Sequence, residues 1–343
     1  MKPRVSAIIA NRNGAEHLRI CLPSLRAQSY QPIEVVVVDN FSSDDSEGVA
    51  RAFNAKWLPL QENIGLAPAL NRGAAASEGD FLLFVNNDMR FDVDFVARLA
   101  AYLERDSNAF AADGKQMNWE GTAEGHLATS IATTKCGMFA SELVPRLFLS
   151  QERSATPRQT FMASAASMLA RRHFFDLLHG FDERLPLSYE DVEICCRAWL
   201  RGWKTVYVPE AVCWHRVGAS SRTRDEKLLL FRGILRGRLL LATKFLPLRY
   251  VLATWAASIA GACRDLLTRQ SSRIVPRLKE IGDSVLLIPT LMRERKTLHS
   301  AANTTTERQL EFFLKLADIE RRKNTITRPE SVCRAELVRP RTR

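Results

Sequence analysis

Several common signatures are missing from this 343-residue chain. Its seven cysteines contain no CxxC pair, so neither a structural zinc site nor a disulfide framework has its usual spacing. A reducing cytoplasm is the simpler setting. No GxGxxG fingerprint and no GxxxxGK[ST] loop occurs, which argues against a dehydrogenase or an ATPase. No uncharged apolar run reaches the roughly 20 residues that cross a bilayer. The opening apolar run ends after Ala10, which is short for a signal peptide. Aromatic residues are only 8% of the chain and do not interleave with arginine, so a stacking platform for nucleic acid is not expected.

What is present is core-forming material with an uneven charge. The chain is 46% hydrophobic and 25% charged, as in a globular protein. Residues 1–215 carry 22 Lys and Arg against 26 Asp and Glu, a net −4. Residues 216–343 carry 27 against 12, a net +15. A basic excess of this kind suits an anionic surface, or is simply a solvated face.

Residues 4–10, "IEVVVVD" (33–39) and "DFLLFVNND" (80–88) are apolar runs that end in polar groups. Such runs suit parallel strands buried on both faces. Between them Leu18, Leu22 and Leu25 recur at helical spacing, "KWLPL" suits a short strand, and residues 66–77 suit a helix. This alternation predicts a doubly wound α/β sheet. Asn11, Asn13, Asp39 and Asp88 then fall just past strand ends, where such sheets bind ligands. Residues 106–160 show no clear period and are expected to be irregular loops facing an acceptor. Residues 161–185 predict a small-residue strand leading into a helix that stops at Gly180, and residues 205–209 predict a strand. After residue 221 come clustered Leu, Ile and Arg (225–246), a charge-free stretch (250–263), an apolar patch broken by Pro289, an amphipathic helix (306–323) and a disordered tail.

Four constellations could carry chemistry. Asp39, at a strand end, can bond a nucleobase or ribose, whereas Ser42 and Asp45 have capping-box spacing. "FVNNDM" (84–89) ends in one carboxylate, Asp88. That carboxylate can serve a hard divalent cation if a diphosphate and another ligand complete the shell, or it can close an ordinary turn. In "LSYEDVEICCRAWLRGW" (187–203), Val192, Cys195, Cys196 and Trp199 form a helical stripe. Ser188 and Asp191 fit a capping box there, yet Asp191 at a helix N-terminus can equally act as a general base. His215 ends a short strand and could be structural or a metal ligand.

In order and spacing, these segments resemble the family 2 glycosyltransferases, inverting enzymes of the GT-A fold that use nucleotide-sugars. The match rests on "VSAIIANRNGAEHLRICLPSLRAQSYQPIEVVVVDNFSSDDS", "ENIGLAPALNRGAAASEGDFLLFVNND", "ASAASMLARRHFFDLLHGFDERLPLSYEDVEICCRAWLRGWKTVYVPEAVCWHRVGASS" and the basic "RGRLLLATKFLP" that follows. The long C-terminal part resembles the rhamnosyltransferase-like branch. The resemblance implies that Asp39, Asn40 and Ser42 contact the base and ribose. It implies that Asn11, Asn13 and Asn87 line the same pocket, with Asn63, Gly65 and Asn71 walling the diphosphate. Asp88 and His215 would hold Mg²⁺ or Mn²⁺, Asp191 would be the catalytic base with Glu190 beside it, and Trp203 and residues 182–187 would sit near the acceptor. Two positions depart from the pattern. Asn86 and Asn87 stand in an Asp-X-Asp-like site, and Ala165 stands where a glycine is common.

The expected architecture is therefore an α/β GT-A Rossmann-like doubly wound mixed sheet (1–221), a helical basic membrane-associating extension (222–323) and a disordered tail (324–343). The implied partners are a nucleoside-diphosphate-sugar donor, linked to thymidine or uridine, and a saccharide or lipid-linked saccharide acceptor. An anionic membrane surface on the cytoplasmic side is the third, and nucleic acid is not implied. The rival readings are a sugar nucleotidyltransferase, which lacks its Gly-rich basic loop here, and a catalytically weak binding or scaffold protein.

Overall fold

The computed structural model describes residues 2–122, 124–126, 132–133, 139–140, 157–185, 187–216, 224–268 and 271–302. The chain opens β1 (Val5–Asn11), α1 (Ala15–Arg26), β2 (Ile33–Asp39), α2 (Ser46–Ala52), β3 (Lys56–Pro59), α3 (Leu66–Ala75) and β4 (Phe81–Asn86). Next come β5 (Met89–Phe91), α4 (Phe95–Arg105), β6 (Ala109–Asn118), and the short β7 (Glu124–His126), β8 (Ala132–Thr133) and β9 (Phe139–Ala140). Then follow β10 (Arg158–Thr160), β11 (Leu169–Arg171), α5 (Arg172–Leu177), α6 (Glu190–Leu200) and β12 (Lys204–His215). Three helices close the described chain: α7 (Arg224–Phe245), α8 (Leu248–Leu267) and α9 (Ser271–Ser300).

The main sheet runs β10-β12-β6-β11-β4-β1-β2-β3. Strands β3, β2, β1 and β4 are parallel neighbours, whereas β11 runs antiparallel between β4 and β6. The sheet is thus doubly wound and mixed, as expected. Alternate residues of each buried strand face opposite cores. Ile8, Val36, Val38 and Phe84 pack under α3 and α6, while Ile9, Val35, Val37 and Val85 pack under α1, α2 and α4. The order of winding reverses between β1 and β4. A crevice opens there at the carboxyl ends of the strands.

Four expectations need correction. Residues 109–118 are not loop but a ten-residue strand deep in the sheet, paired with β11 and β12. "AFAADGKQMN" lacks β-branched residues, and small side chains suffice because neighbouring layers fill the space. The small-residue strand expected to open residues 161–185 is confined to Leu169–Arg171. The predicted strand at 205–209 is longer, running through an irregularity between Val208 and Val212 to His215. Pro289 does not break the third apolar patch, because α9 continues through both Pro276 and Pro289. The helix expected at 306–323 and the tail at 324–343 lie outside the described residues.

The C-terminal helices are fastened to the sheet. Leu241, Ala242 and Phe245 of α7 belong to the same core as Trp199 and Phe84. A Cβ at Gly233 would collide with the Leu187 carbonyl, and one at Gly237 with the Tyr189 ring. These two glycines let α7 lie directly on the segment that leads into α6.

Candidate active site

The crevice is a cavity of about 520 Å³. Its lining comes from the end of β1 (Asn11, Arg12, Asn13), the end of β2 (Asn40), the turn into α3 (Asn63, Gly65) and the end of β4 (Asn86, Asn87, Asp88). Three separate strand ends thus bring together half of the residues the sequence singled out; Asp39, Ser42, Glu190, Asp191 and His215 are not part of the lining.

Hydrogen bonds hold this amide-rich wall rigid. Asn87 Nδ2 donates to Asn11 Oδ1 at 2.8 Å, and Asn11 Nδ2 donates to Ser42 Oγ at 3.4 Å. The Asn13 backbone N–H donates to Ser42 Oγ at 2.8 Å, while Asn13 Oδ1 accepts from Ser43 N at 2.7 Å. Asn40 donates to the Gly65 carbonyl and accepts from the Ile64 N–H, and Asn63 Oδ1 accepts from the Gly65 N–H. The alternative role of Ser42 as a helix cap fails, because α2 starts four residues later without a side-chain cap. Asp39 Oδ2 accepts from Ser42 N at 3.1 Å, but Oδ1 is buried with no hydrogen-bond partner. An orphaned carboxylate oxygen beside an open crevice is a waiting acceptor for a ligand donor.

Asp88 and His215 meet across strands. The turn after β4 carries Asp88, and Met89 pairs with His215 at the end of β12. Asp88 Oδ1 lies 3.3 Å from His215 Nε2, with both side chains mostly buried. One carboxylate and one imidazole at that separation can share a divalent cation. No third His, Cys, Asp or Glu joins them among the described residues. The residues present fit a cation whose shell is completed by substrate phosphate and water.

The expected Ser188 capping box does not form. Ser188 and Tyr189 are both left-handed, at φ 71°, and α6 begins after them with no side-chain cap. Two consecutive non-glycine residues in that region are sterically costly. They are held by α7, through the close approach at Gly233 and Gly237 and by Arg238 Nε donating to Tyr189 Oη at 3.3 Å. The stripe of Val192, Cys195, Cys196 and Trp199 is buried as expected, but the helix is buried on nearly every side.

This turn aims two adjacent carboxyls differently. Asp191 keeps some solvent access and accepts hydrogen bonds from Val192 N at 2.7 Å and Ala165 N at 3.4 Å. Glu190 is 5% exposed, and its Oε2 has no hydrogen-bond partner. Burial raises the pKa of both; the backbone N–H groups restrain the rise at Asp191, and the Asp191 charge adds to the rise at Glu190. Asp191 therefore ionises first, and Glu190 holds its proton behind it. The Ala165 that contacts Asp191 belongs to the 163–167 segment, whose Ala166 carbonyl accepts from Asn86 N at 3.2 Å. That segment is anchored by buried Asp113, which accepts from Ser164 N at 2.8 Å and from Ser167 Oγ at 2.7 Å. Burial raises the Asp113 pKa to about 6, against those hydrogen bonds.

Two expected site residues sit elsewhere. Trp203 stacks on Phe174 at 4.2 Å just before β12 begins, at the opposite end of that strand from His215. It is a packing residue, not an acceptor contact. Asn71 does not line the cavity. It clamps α3 to the 181–183 segment, donating to the Phe181 carbonyl and Glu183 and accepting from Phe181 N. Of residues 182–187, Leu187 lines the cavity, while Asp182 is paired with Arg184 and Lys244. Sequence reasoning also missed Arg12, His17, and Asp225, Glu226 and Leu229 from the first turns of α7. The first two follow a strand end, which is a usable signal. The α7 residues carry none, because only the fold returns that helix to the crevice.

A mixed sheet with its crevice at the β1/β4 reversal, an acid-histidine pair and a carboxyl-bearing helix define a fold of the GT-A glycosyltransferase type. Comparison with known proteins agrees. The model of the family described as "Glycosyl transferase family 2" matches residues 6–178, and the chain belongs to that family. It is 28% identical over 229 residues to the N-acetylglucosaminyl-diphospho-decaprenol L-rhamnosyltransferase of Mycobacterium tuberculosis, covering 61% of this chain and 74% of that protein. It is also 28% identical over 231 residues to the O-antigen biosynthesis protein RfbC of Myxococcus xanthus, covering 64% of this chain and 18% of that one. Among solved structures, GalNAc-T7 with UDP, GalNAc and Mn²⁺ matches with a TM-score of 0.55 at 18% identity, over 72% of this chain and 49% of that one. The mannosyltransferase PcManGT from Pyrobaculum calidifontis, in complex with GDP-Man and Mn²⁺, matches with a TM-score of 0.52 at 15% identity, over 93% and 87%.

Proposed function

We propose that this glycosyltransferase moves a hexose, rhamnose or a similar sugar, from a nucleoside-diphosphate-sugar to a hydroxyl of a saccharide or lipid-linked saccharide. The product would serve cell-envelope polysaccharide synthesis, at the cytoplasmic face of an anionic membrane. The observation that carries the reading is the cavity at the strand ends, with the unpartnered Asp39 oxygen close by and Asp88 within its wall. The names of the relatives support the sugar class and the lipid-linked acceptor.

Asp39 would accept from the nucleoside, and the Asn11, Asn87 and Asn40 amides would fix the wall against which the donor lies. Asp88 Oδ1 and His215 Nε2 would hold Mg²⁺ or Mn²⁺, which when bound supplies positive charge to the leaving diphosphate. Asp191 would accept the acceptor hydroxyl proton as that oxygen bonds to the anomeric carbon. The bond from that carbon to the diphosphate breaks on the opposite face, so the configuration inverts. Neutral Glu190 adds no second negative charge beside the base.

A thermal-shift screen of nucleoside diphosphates and nucleotide-sugars, with and without Mg²⁺ or Mn²⁺, tests the reading. Stabilisation by one nucleotide class that requires the cation and is lost in Asp88→Ala is the expected result. No stabilisation by any nucleotide would overturn it.

A further inference from the structure

Helices α8 and α9 are built inside out. The side of α8 packed against its neighbours buries Thr254, Ser258 and Asp265. Its outer side carries Leu248, Leu252, Ile259 and Leu266, spaced i, i+4, i+11 and i+18 and each more than half exposed. In α9 the buried residues include Arg277, Glu280 and Ser284, while Leu278, Val285 and Met292, spaced i, i+7 and i+14, face outward. A surface helix in water shows the reverse pattern. Unpartnered apolar faces of this extent mark an interaction surface.

Charge identifies the partner. The four carboxylates of the two helices are all in ion pairs: Asp265 with Arg277, Glu280 with Arg232 and Arg236, Asp283 with Arg236 and Lys279, and Glu294 with Arg184 and Lys244. The exposed charges left around the apolar faces are cationic, among them Arg249, Arg273, Arg293 and Lys296. A second copy of the chain would bring like charge against like. An anionic lipid surface complements both the apolar faces and their basic rim. No described helix is long and apolar enough to cross a membrane, so these helices would lie along the interface.

We infer that the outward faces of α8 and α9 seat the protein in the headgroup layer of an anionic bilayer. This names the surface behind the membrane contact proposed above and rests on that part of the reading alone. Arg232, Arg236 and Arg238 of α7, the basic cluster most visible in the sequence, are engaged inside the protein and do not make this contact. Attachment should therefore survive salt in part, because inserted Leu and Ile are not screened.

The test is flotation of the full chain with phosphatidylglycerol-containing vesicles at low salt and at high salt. The wild type is expected to float at both, more weakly at high salt. A Leu252→Glu, Ile259→Glu, Leu278→Glu variant is expected to lose about tenfold or more of its vesicle partitioning. These positions are exposed, so the nucleotide thermal shift should be unchanged and reports separately on the donor site. Equal flotation of variant and wild type would overturn the assignment of this face. So would a wild type that ignores vesicles but self-associates through residues the variant disrupts.

Discussion

The sheet region and the C-terminal helices solve opposite packing problems with one alphabet. In the sheet, Ile8, Val36 and Phe84 are fully buried, and polar groups gather at the strand ends where a ligand can meet them. In α8 and α9 buried ion pairs lie inside with Leu291, while Leu248, Leu252, Leu266 and Leu278 face outward. The first region places its polar groups at an open crevice. The second uses them to hold helices together, which leaves apolar surface facing outward. Charge follows the same division, with −4 in residues 1–215 and +15 beyond.

The sharpest way to test that division is at the helix joining the two regions. Asp191→Asn should leave folding near normal and lower kcat by about 100-fold or more, as loss of a general base does. Steady-state kinetics beside a melting curve will check it, and a fully active variant would return Asp191 to a purely structural role. Next in size is Lys244→Met. Lys244 Nζ lies 2.6 Å from Glu193 and 3.2 Å from both Asp182 and Glu294, almost wholly buried. Burial alone would lower its pKa, but the Glu193 and Asp182 charges outweigh this and raise it. Removing it leaves those three carboxylates with only Arg184 and Arg197 to neutralise them and should cost about 3 kcal/mol in urea unfolding. A change within error would mean the two regions are not coupled there.

The smallest effect concerns Glu190. Its folded pKa is raised above the ordinary value of 4.5, by burial first and the Asp191 charge second. The folded state then holds a proton that the unfolded chain releases. Stability from this group is therefore lost as pH rises from 4.5 through the raised value. Glu190→Gln removes that penalty and should gain about 1 kcal/mol over the wild type at pH above that range, and nothing in acid. Urea midpoints across pH will show it, and a gain independent of pH would contradict the buried-acid account.

Strands β1, β2 and β4 were legible because β-branched runs ending in Asn or Asp have few other uses. Their ends delivered Asn11, Asn40, Asn87 and Asp88 to one cavity. Strand β6 was not legible, since its alanines and glycine are buried by what surrounds them rather than by their own preference. Ser188 misled for a different reason. Its type suits a cap, but α7 imposes a left-handed turn that no local pattern announces. Trp203 misled because the family resemblance placed it near an acceptor, while an eleven-residue helix carries it to the far end of the sheet. The periodicity of α8 and α9 was visible as apolar patches, but which side turned outward depended on where the ion pairs went.

The cluster of Asp182, Arg184, Glu193, Arg197, Lys244 and Glu294 has a consequence for protein engineering. It ties α6, the loop before it, α7 and α9 through ion pairs in which Lys244 and Glu294 find their partners only on other segments. A chimera that exchanges the C-terminal helices between relatives must carry this set across the junction as one block. A cut near residue 221 looks convenient on paper and would part Lys244 and Glu294 from the other members of a buried circuit.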